Sequence, residues 1–227
     1  MLPNSAPAQP RGQPPRPLVV ATANPDKLRE FRSLLAGLPF ALTSLAELGL
    51  PSPPETGSSF LANATLKARH AANSSGVPAV ADDSGIEVEA LGGAPGIYSA
   101  RYAGDGADDA ANNAKLIAAL KDLPQEQRRA RYRCALVYVE PEQDAAPLVA
   151  EAAWEGYILE APRGAGGFGY DPYFWLPELG VTAAELGPEE KNRLSHRGKA
   201  LRALREVLLA RLASAEPPAS PNPAVHP

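Results

Sequence analysis

Short apolar runs alternate with helical segments along the first 120 residues of this 227-residue chain. Such alternation is typical of α/β folds, in which helices pack on both faces of a sheet. Two longer apolar runs follow, joined by a turn-rich segment at 140–144, and predict a strand pair. We expect strands over residues 18–21, 77–81, 131–139, 148–154 and 173–175, and helices over 27–35, 60–72, 108–120 and from 195 onward. The sequence therefore predicts an α/β fold with a mixed sheet flanked by helices.

The last predicted helix has a capping residue and a regular apolar stripe. Ser195 can cap its first turn. Four leucines then recur at helical spacing, which is typical of a core or subunit-interface face rather than of a functional groove. These are Leu201, Leu204, Leu208 and Leu212.

The two ends of the chain differ from its centre in composition. Residues 1–17 and 215–227 are rich in Pro, Ala, Ser and Asn and have few side chains to bury. This composition is typical of disordered segments. We therefore expect one domain over residues 18–214, with a disordered tail on each side.

Charge and cysteine usage exclude several classes of protein. The net charge of −4 gives no global basic field to attract nucleic acid. The single cysteine, Cys134, cannot form an internal disulfide and lies in an apolar run typical of a core strand. The sequence has no apolar span of membrane-crossing length and no signal-peptide pattern. We expect a cytoplasmic protein with neither a nucleic acid nor a membrane as partner.

Two adjacent carboxylates, Asp82 and Asp83, follow the apolar run at 77–81, and Ser84 and Gly85 come next. Ligands of open α/β sheets bind beyond the carboxyl ends of the strands. Mg²⁺ prefers a few carboxylate oxygens together with substrate phosphates. The stretch therefore fits a magnesium site, although a solvated turn with Asp and Ser bonded to the backbone explains it as well.

The segment Thr22-Ala23-Asn24-Pro25-Asp26-Lys27 joins the first strand to its helix. A strand-to-helix turn offers free N–H groups and the positive end of a helix, which together favour a phosphate. Lys27 adds a full positive charge. The glycines of a Walker loop are missing, and ordinary helix capping by Thr, Asn and Asp is the alternative.

Polar residues also surround the start of the second helix. Glu55 precedes this helix, and Asn63 and Lys67 stand four residues apart on one of its faces. Glu55 could supply a second carboxylate to a metal, and Lys67 could reach a phosphate. A helix start with solvated polar residues fits the same pattern.

Two later segments could bind a base and an anion. Glycines at 164–169 surround Phe168 and precede Tyr170 and Asp171, so that a ring could stand clear of the backbone and stack on a base. Lys191, His196 and Arg197 lie at the start of the last predicted helix, where an anion is favoured. Core aromatics and a solvated basic helix start remain the ordinary explanations.

In combination, these segments resemble the inosine/xanthosine triphosphate pyrophosphatase family, bacterial enzymes that act on non-standard purine nucleoside triphosphates. The resemblance extends from Leu18 to about Leu212. The matching blocks, in chain order, are Thr22-Ala23-Asn24 with Lys27, Glu55-Thr56-Gly57 with Asn63 and Lys67, Ala81-Asp82-Asp83-Ser84-Gly85, residues 91–102, residues 166–172, and Ser195-His196-Arg197-Gly198-Lys199-Ala200.

The resemblance implies an elongated mixed sheet between two lobes, a nucleotide in the cleft between them, and a homodimer. It also implies Mg²⁺-dependent cleavage between the α- and β-phosphates. Asp83 would be both the general base and a metal ligand, and Glu55 the other metal ligand. The residues expected to contact substrate are Thr22, Ala23, Asn24, Pro25, Asp26, Lys27, Ser84, Phe168, Gly169, Tyr170, Asp171, Lys191, His196 and Arg197, with Lys67 as a further phosphate contact.

The chemistry of these side chains agrees with such roles. Arg197 has donors only, so it would favour the 6-keto oxygen of hypoxanthine or xanthine over the 6-amino group of adenine. Ala23 stands where relatives usually have glycine, but Asn24 and Lys27 are present. Two alternatives stay open: a pyrophosphatase for other nucleotides on a related Maf-like fold, and a nucleotide-binding regulator without turnover.

Overall fold

A seven-stranded mixed sheet forms the centre of the protein in the computed structural model, which describes residues 14–141 and 146–215 and, for 213–215, the backbone alone. The strands are β1 (Arg16–Val20), β2 (Phe40–Ser44), β3 (Ala79–Val88), β4 (Arg129–Val139), β5 (Leu148–Ile158), β6 (Phe174–Leu176) and β7 (Val181–Thr182). Their order across the sheet is β2-β1-β3-β4-β5-β6-β7. β1 is parallel to β2 and β3, and every later pair is antiparallel.

Helices pack on both faces of this sheet, which confirms the predicted fold class. They are α1 (Pro25–Leu34), α2 (Phe60–Ser75), α3 (Asp109–Leu120), α4 (Pro188–Leu194) and α5 (His196–Ala215), and a 3₁₀ segment covers Gly96–Arg101. Within the described ranges, no helix is both long and apolar enough to cross a membrane.

Side-chain alternation along β1 divides the core between the two faces. Leu18 and Val20 pack on one face with α1 and α5, and Val19 packs on the other face with α2. The α5 leucines Leu201, Leu204 and Leu208 are buried on the first face. A third apolar cluster lies where α3 and β6 meet the far end of β3 and β4.

Strand β3 corrects the prediction for residues 77–81. The strand continues to Val88, so the two aspartates lie inside it and not in a turn after it. Hydrogen bonding to β4 extends the strand, with Asp82 opposite Leu136 and Asp83 opposite Ala135. This pairing overrides the low strand propensity of Asp, Ser and Gly.

The start of the last helix is also different from the prediction. Residues 188–194 form the separate short helix α4, so Lys191 does not belong to the last helix. Ser195 ends α4, and its hydroxyl accepts a hydrogen bond from the N–H of Gly198 in the first turn of α5, as expected of a capping serine.

Smaller differences lie at the ends of the domain. β1 begins at Arg16, inside the predicted N-terminal tail, because Arg16 pairs with Phe40 of the unpredicted strand β2. Most of both predicted tails, and residues 142–144 of the predicted turn, lie outside the described residues. Cys134 is buried as predicted, and burial raises the pKa of its thiol to about 12.

The buried leucines of α5 generate a test of the core. Leu204→Ala removes a fully buried side chain and should lower the free energy of unfolding by about 2–5 kcal/mol. Val207→Ala is the matched control, because Val207 lies on the same helix with 43% of its surface exposed, and it should cost less than about 1 kcal/mol. Urea denaturation of both variants measures the difference, and equal losses would contradict this packing.

Candidate functional site

The Asp82 carboxylate lies on the face of the sheet that α1 and α5 cover. Its Oδ2 lies 3.0 Å from Lys27 Nζ and accepts hydrogen bonds from Arg197 Nε at 3.2 Å and Ser84 Oγ at 3.0 Å. Burial alone would raise the pKa of Asp82, but Lys27 and Arg197 outweigh burial and hold it well below its usual value. The residue is therefore a permanent anion, buried against two cations.

Arg197 connects this anion to α1. Its Nη1 donates to Glu30 Oε2 at 2.6 Å, and its Nη2 donates to Ser84 Oγ at 2.8 Å. Burial disfavours the charge, but Asp82 and Glu30 raise the pKa of the guanidinium above its usual value. The predicted substrate residues Lys27, Ser84 and Arg197 come together here. Glu30 was not predicted, and its signal in the sequence was a separation of one helical turn from Lys27.

The Asp83 carboxylate lies on the opposite face, under α2. Lys67 Nζ donates to Asp83 Oδ1 at 2.8 Å and also to Glu55 Oε1 at 2.8 Å. Asn63 Nδ2 donates to Asp83 Oδ2 at 3.2 Å. The four-residue spacing of Asn63 and Lys67 does place both on one face of α2, as predicted. Arg101 Nη1, on the 3₁₀ segment, donates to Glu55 Oε2 at 3.0 Å.

The two carboxylates that share Lys67 differ in proton affinity. Burial raises the pKa of Asp83, and the neighbouring Lys67 only partly offsets it. Burial acts on Glu55 in the same direction, but Lys67 and Arg101 outweigh it and lower the pKa. Asp83 is thus the better proton acceptor of the pair, because it is the more deeply buried carboxylate.

The same pair has the donor chemistry of a magnesium site. Two carboxylate oxygens converge on one positive group, the Lys67 ammonium, and hard oxygen ligands in this number suit Mg²⁺ when phosphates complete its shell. Within the described residues, no group of three or more His, Cys, Asp or Glu side chains gathers to hold a metal. The arrangement fits a cation that arrives with a phosphorylated ligand.

A small aromatic cavity lies beside the Asp82 cluster. Its volume is about 130 Å³. The predicted substrate residues that line it are Asn24, Lys27, Ser84, Phe168, Gly169, Tyr170, Asp171, Lys191, His196 and Arg197, and Ser99, Asp109 and Tyr132 are among its other walls. Such a volume suits one flat ring rather than a whole nucleotide.

Charged groups fix the aromatic wall of this cavity. Lys191 Nζ lies 4.7 Å from the centre of the Phe168 ring, within cation–π distance. The same ammonium donates to Asp171 Oδ2 at 2.6 Å, and that oxygen also accepts the N–H of Phe168 at 2.9 Å. Asp171 Oδ1 accepts a hydrogen bond from the Tyr132 hydroxyl at 3.2 Å.

His196 contributes a neutral polar group to the cavity. Its ring stacks on Tyr132 with 4.7 Å between centroids and 6° between planes. Burial, followed by the charges of Arg197 and Lys191, lowers the pKa of the imidazole well below its usual value. Its Nδ1 is buried and has no hydrogen-bond partner among the described residues.

The segment 22–27, between β1 and α1, caps helix α1, which was the alternative explanation of its sequence. It also borders the aromatic cavity. Asn24 Oδ1 accepts the N–H groups of Asp26 and Lys27 at 2.8 and 3.2 Å, and Thr22 Oγ1 accepts the N–H of Asn24. Pro25 is the first residue of α1, where its fixed φ suits a helix start.

The first residues of α1 also influence the ionisation of neighbouring carboxylates and line a second cleft. The charge of Lys27 favours the ionised forms of Asp82, Asp83 and Glu55, so it acts on both faces of β3, although burial keeps the pKa of Asp83 raised. Asp26 lines a separate cleft of about 370 Å³ that also borders Phe168 and Lys191.

Comparison with known proteins gives one consistent result. Residues 18–207 match the sequence model of the Ham1 family. A protein of Pectobacterium atrosepticum named dITP/XTP pyrophosphatase is 56% identical over 191 residues, which cover 84% of this chain and 97% of that relative. One of the same name from Thioalkalivibrio sulfidiphilus is 55% identical over 194 residues, covering 86% and 99%.

Solved structures resemble the chain over the same region. A HAM1 protein from Coxiella burnetii aligns with a TM-score of 0.80 and 46% identity, covering 86% of this chain and 99% of that one. The Staphylococcus aureus Ham1 protein aligns with a TM-score of 0.76 and 37% identity, covering 86% and 100%.

The buried imidazole of His196 predicts a pH dependence of stability. Because its pKa is lowered in the folded state, the unfolded chain binds more protons below pH 6.5, the usual value for histidine. The contribution of His196 to the free energy of unfolding is therefore fully present above this pH and is lost as the pH falls. Relative to His196→Gln, the wild-type chain should lose up to about 1.4 kcal/mol per pH unit below that value. Urea titrations at several pH values measure this, and parallel curves for the two proteins would contradict it.

Proposed function

This chain belongs to the Ham1 family, and we propose that it hydrolyses deaminated purine nucleoside triphosphates such as dITP, ITP and XTP to the monophosphate and pyrophosphate. One observation supports the proposal independently of the family match. The adjacent residues Asp82 and Asp83 of β3 lie on opposite faces of the sheet, one beside a cation-lined aromatic cavity and the other in a paired acidic site. A reaction at a phosphate and recognition of a base require such neighbouring sites. In the cell this activity would remove damaged nucleotides before their incorporation into DNA or RNA.

The aromatic cavity supports binding of the purine base. Phe168 offers a ring face between glycines, and Arg197 and Lys191 lie above that ring. Arg197 carries more N–H donors than its three protein partners use, so it can donate to a 6-keto oxygen and opposes the 6-amino group of adenine. Burial strengthens this discrimination, because an unpaired buried donor is costly.

The turn into α1 supports binding of the phosphates. Lys27 and the positive end of the α1 dipole give positive potential beside both aspartates. Lys67 lies between Glu55 and Asp83 and can move its ammonium toward a phosphate oxygen when a cation takes its place. The triphosphate would then lie between Lys27 and the paired carboxylates.

Asp83 and Glu55 are the residues that would hold Mg²⁺. When bound, the ion neutralises phosphate charge and favours in-line attack. Asp83 accepts a hydrogen bond from the attacking water and so orients it, and Asn63 keeps one carboxylate oxygen in place for this task. Asn63 is held in turn by the N–H of Gly57, which ties the Glu55 loop to Asp83.

The proposal also covers the location of the protein and its oligomeric state. We place the protein in the cytoplasm, where its nucleotide substrates are, and as a homodimer, by its resemblance to the family. The net charge of −4 supports a small anionic substrate bound by local cations over a nucleic acid partner. Light scattering coupled to size exclusion tests the dimer.

A nucleotide panel tests the reaction. With Mg²⁺, ITP, dITP and XTP should each give monophosphate plus pyrophosphate, ATP should be spared, and excess EDTA should stop turnover. Phosphate detection with and without added inorganic pyrophosphatase distinguishes the products. Direct release of orthophosphate would refute the proposed bond cleavage. A preference for pyrimidine triphosphates would favour the Maf-like alternative, and tight binding without product would favour the regulator.

Substitution of Asp83 tests its assignment. Asp83→Asn removes the proton acceptor but keeps the shape of the side chain, so kcat for ITP should fall by about 10²–10⁴-fold. ITP should still bind, as measured by calorimetry. Asp122→Asn makes the same chemical change at an exposed position and should leave turnover unaltered. An active Asp83→Asn protein would refute the role given to Asp83.

A further inference from the structure

Side chains of helix α3 form hydrogen bonds with both backbone polar groups of Gly169, in the loop that carries Phe168 and Tyr170. Asp109 Oδ2 accepts the N–H of Gly169 at 2.6 Å, and Asn113 Nδ2 donates to the carbonyl oxygen of Gly169 at 2.9 Å. Gly169 has a φ of 62°, a left-handed conformation that a residue with a side chain rarely adopts. Nothing in the sequence pattern singled out Asp109 or Asn113.

Gly169 lies between the two aromatic residues that line the cavity, Phe168 and Tyr170. Rotation of its peptide groups would turn both rings, and this rotation requires breaking the contacts to α3. Tyr170 has one further anchor, since its hydroxyl donates to the carbonyl of Ser99 at 2.7 Å. The backbone between the two rings is held by the two α3 side chains.

Asp109 itself is not needed to form α3. Asp108 is the N-cap residue, and its Oδ1 accepts the N–H of Ala111 at 2.8 Å. Asp109 is exposed and belongs to none of the three apolar clusters described above. Its strong interaction is the charge-assisted hydrogen bond to Gly169, and it also lines the cavity.

We propose that Asp109 is a positioning residue for the purine base, which it serves by holding Gly169 so that Phe168 and Tyr170 keep the cavity shaped for a flat ring. The inference rests on the proposed function, because it assumes that a purine occupies this cavity. A wall that is already ordered does not lose conformational entropy when the base binds, so removal of Asp109 should weaken the affinity for the base. Asp109 lies outside the paired acidic site, so the chemical step should not depend on it.

The experiment compares three single substitutions in the full chain. Asp109→Ala should raise the Kd for inosine monophosphate and the KM for ITP by about tenfold, the usual cost of a lost charge-assisted hydrogen bond. The kcat for ITP should stay near the wild-type value. Asp109→Asn keeps an oxygen acceptor at the same position and should restore most of the affinity.

Asp108→Ala is the matched control, because it removes the neighbouring carboxylate from the same turn of α3. Loss of the cap should lower the urea midpoint of unfolding while KM and Kd stay at wild-type values. An equal rise of KM in both alanine variants would overturn the inference, since helix stability alone would explain it. Unchanged KM and Kd in Asp109→Ala would overturn it as well.

Calorimetric titration with inosine monophosphate separates this inference from the proposed function. If the wild-type chain binds the monophosphate but releases no pyrophosphate from ITP, the proposed function fails and the Asp109→Ala titration still decides the inference. If the wild-type chain does not bind inosine monophosphate, the inference is overturned.

Discussion

Consecutive residues of a β-strand point to opposite faces of a sheet, and β3 carries carboxylates at two consecutive positions in its buried centre. Burying a carboxylate is costly unless cations and hydrogen-bond donors compensate for the lost water. Each face of the sheet must therefore supply its own partners. Helices α1 and α5 supply Lys27 and Arg197 to Asp82, and α2 supplies Asn63 and Lys67 to Asp83.

The same helices build both the apolar core and the polar site. The helices that cover Leu18 and Val20 on one face, and Val19 on the other, also deliver the charged partners of the aspartates. Loss of one cation would leave a buried anion with less compensation, so substitutions in one cluster should affect stability and ligand binding together. The two clusters meet at Lys27, whose charge acts on both.

Local patterns were sufficient for two helical features of the site. The spacing of Asn63 and Lys67 predicted a common face, and Ser195 was recognised as a cap, because helical geometry relates residues three or four apart directly. The extent of β3 was predicted wrongly, since it depends on pairing with β4, about fifty residues further along the chain. Glu30 and Asp109 were missed for a similar reason, because their partners, Arg197 and Gly169, are distant in sequence.

The sequence by itself determined the α/β class, helices α1, α2, α3 and α5, and the segments that carry the chemistry, since periodicity, caps and motif blocks are local properties of the chain. Only the tertiary structure decided that Asp82 and Asp83 serve separate clusters and that Lys67 bridges Glu55 to Asp83. It also decided that α3 fixes Gly169. These facts depend on strand register and on contacts between segments far apart in sequence, and such contacts form only when the whole sheet and its helices have packed.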